Sequence, residues 1–372
     1  MRNRVFVRLV ALIALTIALL GCAGVFNWVR VSPDGDYVTL VNHAEKTIDI
    51  LLLYDLSRRE SQVVYKRPSE EESLLLYDVQ WRPDSRAFSF IVQPEPFQDG
   101  GLYAEEKDNQ SALMLFEVNS RRLLKLPIDA PKLARWSRDG RRLLTLKSGS
   151  KTQSTLEIYA TDTWVRLRTL PMPEDAQFVS PDTLLMQLLD DETVVALMDL
   201  PASAEESNPT RPAGKNLYRF HFNRWQPLTT TGDVYTFWIA PLQDRVRWVR
   251  VVSGQGLAVF ERPLPTHAPR RLAFISHEIA PAREGQVYRF SPDGNQLAWV
   301  IEETLYVLNL SEGTVRTFGI IDLQPQTVSL GIWGETKQMR YPMYGFDWRG
   351  NDALVLQRGD KVEVISIHRA QE

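Results

Sequence analysis

The sequence predicts an all-β fold. It reads as a β-propeller of seven four-stranded antiparallel blades, following an N-terminal signal or anchor helix. Three observations predict it. A short turn written Ser-Pro-Asp-Gly recurs along the chain. An aromatic residue precedes most copies, and an apolar strand follows each. Sustained helical periodicity is confined to the leader,.

The turn is the organising element. Proline presets φ at its second position, Asp tolerates the third, and Gly takes the positive φ that L-residues resist. The clear copies are Ser32-Pro33-Asp34-Gly35, Arg82-Pro83-Asp84-Ser85, Ser137-Arg138-Asp139-Gly140, Ser180-Pro181-Asp182-Thr183 and Ser291-Pro292-Asp293-Gly294. Two decayed copies are Ala240-Pro241-Leu242-Gln243-Asp244 and Trp348-Arg349-Gly350-Asn351-Asp352. Trp28, Trp81, Trp136, Phe178, Trp238, Phe290 and Phe346 supply the preceding aromatics.

A third strand repeats with the same period, at 48–56, 112–118, 155–160, 193–200, 256–262, 304–310 and 361–367. A fourth follows six of these, at 61–66, 121–126, 165–170, 217–222, 270–274 and 314–318. The unit is therefore strands a, b, c and d, with the marker turn between a and b. Residues 28–372 divide into seven units of roughly 49 residues, a blade-sized period,. A small sheet has two faces to hide, and packing blades around an axis buries both. The aromatic on strand a then fills the space between neighbours. After Ile367 only 368–372 remain, too little for a last d strand. The closing blade has three strands, or the N-terminus is placed differently; six and eight blades stay as alternatives.

These markers resemble the TolB-like propeller repeat, whose signature is Trp-x-Pro-Asp-Gly or Phe-Ser-Pro-Asp-Gly between the two inner strands. The resemblance spans nearly everything after the leader. It implies the architecture and leaves the activity open. The Gly-His and Trp-Asp dipeptides of the WD-type repeat are missing.

The leader has Arg2, Arg4 and Arg8 before an apolar run over 9–20, short for a spanning helix,. Leu19-Leu20-Gly21-Cys22 resembles the bacterial lipobox, and Cys22 is the one cysteine in the chain. The resemblance implies cleavage before Cys22 and acylation of it, giving a signal peptide over 1–21, a tether over 22–27 and a propeller over 28–372. The alternative is an uncleaved anchor over about 5–26. Either way the bulk lies outside the cytoplasm, with the arginines inside. Acyl chains on Cys22 would make the membrane the first partner.

Composition and motifs exclude several chemistries. The formal charge is −3, and losing Arg2, Arg4 and Arg8 leaves a still more acidic chain, unsuited to nucleic acid,. One cysteine permits no internal disulfide and no cysteine zinc site,. There is no Gly-x-Ser-x-Gly elbow and no His-Glu-x-x-His,. The five histidines lack metal-ligand spacing, and the acidic runs at 70–72, 105–106, 190–192 and 302–303 lack the alternation calcium needs,. The marker aspartates are turn residues. No cofactor or metal is expected.

In this topology the b–c and d–a loops share one face, and the a–b and c–d turns share the other. The long connections at 93–111, 223–234, 275–285 and 319–341 fall on the first face, while 201–216 reads as a c–d excursion on the second. Long loops on a rigid scaffold carry binding. Trp225, His277, Arg283, Trp333, Arg340 and Tyr341 are the candidate binding residues, a mix of aromatic and basic anchors,. The expected function is a monomeric, non-catalytic envelope scaffold for a protein or a glycan. A propeller hydrolase, such as a lactonase or glycosidase, is the alternative, and would need carboxylates or a metal converging on the axis.

Overall fold

The computed structural model describes residues 29–44, 48–66, 74–94, 111–147, 154–173, 186–190, 193–200, 214–242, 244–252, 254–264, 268–281, 287–301, 304–319, 327–329, 338–340, 345–358 and 361–367. Cys22 and the whole leader lie outside them, as does the marker at 180–183. Among the described residues every regular element is a strand.

Seven antiparallel sheets form the blades. Blade 1 runs β1 (Val29–Val31), β2 (Tyr37–Ala44), β3 (Ile48–Asp55), β4 (Glu60–Lys66). Blade 2 runs β5 (Leu74–Trp81), β6 (Ala87–Pro94), β7 (Ala112–Glu117), β8 (Arg122–Asp129). Blade 3 runs β9 (Pro131–Trp136), β10 (Arg142–Lys147), β11 (Thr155–Ala160), β12 (Arg166–Pro171). Blade 4 runs β13 (Met186–Leu188), β14 (Val194–Leu200), β15 (Gly214–His221), β16 (Arg224–Pro227). Blade 5 runs β17 (Val234–Ile239), β18 (Arg245–Val252), β19 (Gly256–Pro263), β20 (Arg270–Ser276). Blade 6 runs β21 (Tyr288–Phe290), β22 (Gln296–Ile301), β23 (Thr304–Asn309), β24 (Thr314–Gly319). A separate hairpin, β25 (Thr327–Ser329) with β26 (Gln338–Arg340), precedes blade 7. Blade 7 has three strands among the described residues, β27 (Phe346–Arg349), β28 (Ala353–Arg358) and β29 (Lys361–Ser366), one of the two arrangements expected.

The marker turns fold as their residues dictate. Gly35, Gly140 and Gly294 each donate their N–H to the carbonyl of the serine three residues earlier, at 2.8–3.0 Å. The serine hydroxyls of Ser32, Ser137 and Ser291 donate to Asp34, Asp139 and Asp293 at 2.5–2.6 Å. The same aspartate oxygens accept the backbone N–H two residues on, at 3.0–3.1 Å. These carboxylates close Asx turns. The Ser137 hydroxyl, against the opposing effect of burial and with help from the Arg141 N–H, holds the Asp139 carboxyl below its ordinary range,.

The core is divided among the seven gaps between blades. Val41, Leu53, Trp81 and Phe88 fill the first gap, between blades 1 and 2. Ile91, Leu113, Ala134 and Trp136 fill the next, and Leu133, Leu156, Met186 and Phe220 the third. Val195, Leu217, Val246 and Trp248 lie between blades 4 and 5. Val249, Leu257, Tyr288 and Trp299 follow, then Ala298, Val307, Phe346 and Leu354. Val29, Val31, Leu40 and Val355 close the ring between blades 7 and 1. Each sheet buries both faces, so strands b and c are nearly continuous apolar runs. Of the marker aromatics among the described residues, Trp81, Trp136 and Phe346 are buried in these gaps, as expected. Trp81 donates its indole N–H to the Arg30 carbonyl of the preceding blade at 3.1 Å, and Trp348 to that of Arg289 at 3.0 Å.

Blade 4 corrects the strand assignment. Residues 193–200, expected as the third strand, form the second described strand, β14. Asp190, the first residue of the acidic run at 190–192, follows β13 and accepts the Thr193 N–H at 2.7 Å; the other two residues of the run lie outside the described residues. The stretch 223–234, expected as a loop, contains β16. Phe222 and Asn223 form its two-residue hairpin turn with φ of 50° and 60°. That shift moves 201–213 from a c–d excursion to a b–c connection, joining β14 to β15. The connection at 319–341 likewise holds the β25–β26 hairpin.

Candidate functional site

Two faces and an axis are available for function. Each blade starts its inner strand at the loop face and ends it at the a–b turn. The axis is lined by the inner strands β1, β5, β9, β13, β17, β21 and β27, and two of their carboxylates are ion-paired.

Asp78 on β5 accepts the Ala134 N–H of blade 3 at 2.7 Å and pairs with the Arg135 guanidinium. Its side chain is 4% exposed, and its φ is 55°. The irregular pairing of β5 and β6 between Tyr77 and Gln80 turns it toward the neighbouring blade,. Asp347 on β27 plays the corresponding part at the ring closure. One oxygen accepts the Val31 N–H of blade 1 at 3.0 Å, and the other accepts Arg289 Nη1 of blade 6 at 3.1 Å. Arg349 reaches across the same seam to the Gly35 carbonyl at 2.9 Å. The first blade is thus fastened to the last by side chains and packing.

A third ionic knot lies further out. Glu261, 2% exposed, accepts from Arg247 at 2.8 Å and Arg270 at 2.7 Å. Burial pushes its carboxyl up, but the bonds from Arg270 and Arg247 outweigh that and hold it below the ordinary value,. Arg247 continues to the Gly294 carbonyl of blade 6 at 2.7 Å and lies over the Trp238 ring. Glu157 similarly accepts the Tyr159 hydroxyl and Arg166, both at 2.6 Å. Burial and then Glu157 push the tyrosine hydroxyl far above its usual range. Among the described residues no group of three or more His, Cys, Asp or Glu has the proximity to hold a metal ion.

Three of the six expected binding residues, Trp225, His277 and Arg340, fall among the described residues. Trp225 sits on β16, the outermost strand of blade 4, rather than on a loop. Its indole donates to the Pro171 carbonyl of blade 3 at 2.8 Å, and its ring meets Phe220 edge-on at 5.1 Å. His277 lies in the turn after β20, on the loop face, with its N–H bonded to the Gln255 carbonyl at 3.0 Å. Arg340 ends β26, paired in register with Thr327. Arg283, Trp333 and Tyr341 lie outside the described residues. Sequence reasoning missed Asp78, Arg135, Arg289 and Asp347. A signal existed: Tyr288-Arg289-Phe290 and Phe346-Asp347-Trp348 place opposite charges between aromatics on successive inner strands.

No family model and no curated protein matches the chain. Solved structures do. An oligogalacturonate lyase in complex with manganese is 12% identical over 90% of this chain and 86% of its own, with a TM-score of 0.56. The β-propeller domain of Cps50 (Swd1) from Myceliophteria thermophila is 10% identical over 93% and 98%, with a TM-score of 0.51. TolB from Acinetobacter baumannii is 15% identical over 76% of this chain, which spans 62% of TolB, with a TM-score of 0.48. The likeness to the lyase and to Cps50 is one of fold. The class is that of the β-propellers, with seven blades here.

Proposed function

We propose that this chain is a membrane-tethered lipoprotein of the cell envelope whose propeller is a non-catalytic scaffold for another protein or a glycan. The observation that carries the reading is the use of the inner-strand charges. Asp78 and Asp347 are each bound to an arginine and to the backbone of a neighbouring blade. Their lone pairs are committed to holding blades together, which suits a platform better than a carboxylate site working on substrate. The similar structures support the propeller and are neutral on catalysis.

The tether sets an orientation. Inner strand β1 begins at Val29, at the loop-face end of blade 1. From Cys22 to Val29 the chain extends no further than about 25 Å. An acylated Cys22 would thus hold the loop face toward the bilayer and turn the a–b and c–d turns outward.

Metabolic labelling with a fatty-acid analogue tests the anchor. The native chain should incorporate label and fractionate with membranes, and Cys22→Ala should do neither. A Cys22→Ala chain that stays labelled would refute the lipid tether.

A further inference from the structure

The c–d turns of blades 1 and 6 have the same geometry and different residues at one strained position. In blade 6, Asn309 accepts the N–H groups of Ser311 and Glu312, and Gly313 donates to the Asn309 carbonyl at 2.8 Å with φ of 68°. In blade 1, Asp55 accepts the N–H groups of Ser57 and Arg58, and Arg59 donates to the Asp55 carbonyl at 2.8 Å with φ of 59°. Glycine is the unstrained choice there, and blade 6 uses it. Blade 2 places Arg121 in the same region, with φ of 54°, and blade 3 places Trp164, with φ of 56°.

The strain of Trp164 is offset within the fold, because its ring packs edge-on against Trp136 at 6.3 Å. Among the described residues Arg59 and Arg121 make no such ring contact. Both are exposed, and among the described residues neither guanidinium has a hydrogen-bond or ion-pair partner. Backbone strain kept at exposed, unpaired side chains points to a use outside the fold.

Their setting narrows that use. Arg58 and Arg122 stand beside them, so each of two neighbouring blades presents an arginine pair at the rim of the same face. The Arg58 side chain is 69% exposed and only 3.7 Å from Asp55 in a loose ion pair. Val63 and Leu123, on the adjoining outer strands β4 and β8, are 54% and 36% exposed. Guanidinium forks recognise carboxylates two bonds at a time, and arginine next to aliphatic surface is the composition of a protein interface. Sugar rings stack on open aromatic faces, and among the described residues no exposed aromatic stands between these arginines,.

We propose that the c–d rim of blades 1 and 2, centred on Arg59 and Arg121, docks an acidic protein segment bearing aliphatic residues. The proposal deepens the scaffold reading by naming the partner's chemistry and the face it meets. It does not need the lipid: failure of acyl labelling would leave it standing, and failure of docking would leave the tether standing.

The test uses the full chain in detergent, an immobilised synthetic peptide rich in Glu and Leu, polygalacturonate, and phosphatidylglycerol vesicles. The double variant Arg59→Gly/Arg121→Gly should melt higher than the native chain, because glycine relieves both positions. It should also bind the peptide at least tenfold more weakly, and native binding should weaken as NaCl rises from 50 to 300 mM. Equal peptide binding by the two chains would overturn the proposal, as would a lower melting temperature in the variant. Stronger arginine-dependent binding of polygalacturonate or of vesicles than of peptide would overturn the choice of a protein partner.

Discussion

Replacing Asp347 by alanine should loosen the ring where its two ends meet. Asp347 joins three blades: it sits on blade 7, accepts from Arg289 of blade 6 at 3.1 Å and from the Val31 N–H of blade 1 at 3.0 Å. The side chains of Arg289 and Asp347 are 14% and 17% exposed. Two nitrogens of Arg289, Nε and Nη2, are already buried without an acceptor among the described residues. Alanine at 347 would leave the whole guanidinium in that state. Breaking one side of a fully buried pair costs about 3–5 kcal/mol, and the residual exposure brings the expectation to about 3 kcal/mol. With an unfolding entropy of about 0.8 kcal/mol/K for a chain of this length, Tm should drop by about 4 °C. Asp347→Asn keeps an acceptor for Val31 and should cost less. Thermal unfolding followed by tryptophan fluorescence reads both. In a double-mutant cycle with Arg289→Met, the two changes should couple by about 1.5 kcal/mol or more. Additivity within about 0.5 kcal/mol would refute the idea that this ion pair secures the closure.

Two further expectations concern the turns. Gly294→Ala should destabilise strongly, by about 2–3 kcal/mol, because φ is +72° and a Cβ would meet the Trp238 ring at 2.5 Å,. Gly313→Ala, at φ +68° with nothing within 4 Å of a Cβ, should cost only about 1 kcal/mol,. Equal losses in denaturant melts would show that the wedge between blades 5 and 6 is not tight. Stability should also depend on acid. Ser137 with Arg141 depresses the Asp139 carboxyl, and Arg82 depresses that of Asp84. A carboxyl depressed in the folded state contributes stability that is complete above its unfolded value, about 3.9, and disappears as pH falls through the lower folded value. Tm should therefore be level with respect to these groups above about pH 5 and decline below about pH 4. Asp139→Asn should make that acid limb shallower; an unchanged limb would deny Asp139 a role in it.

Most of the ring was legible because the marker turn is a local device. Ser32-Pro33-Asp34-Gly35 and Ser291-Pro292-Asp293-Gly294 close their bonds within six residues, so composition alone implies geometry. Blade 4 was misread where that device fails. The turn between its last two strands is Phe222-Asn223, with both φ positive and no glycine to announce it. Trp225 then looked like a loop anchor, although it is an outer-strand residue bonded to Pro171, 54 positions away. The candidate site was far less legible than the fold. Exposed Arg59 resembles any surface arginine until its φ is compared with that of Gly313.

The sequence by itself determined the repeating unit, its strand alternation and its blade-sized period, since each depends on residues close together along the chain, while the closing of the last blade stayed open. Only the tertiary structure decided which charge meets which across a gap. Asp78 with Arg135 and Asp347 with both Arg289 and Val31 are separated by 57, 58 and 316 positions. Periodicity says where a strand begins and which side is apolar; it carries no information about the partner that a polar atom finds once seven sheets have been brought around one axis.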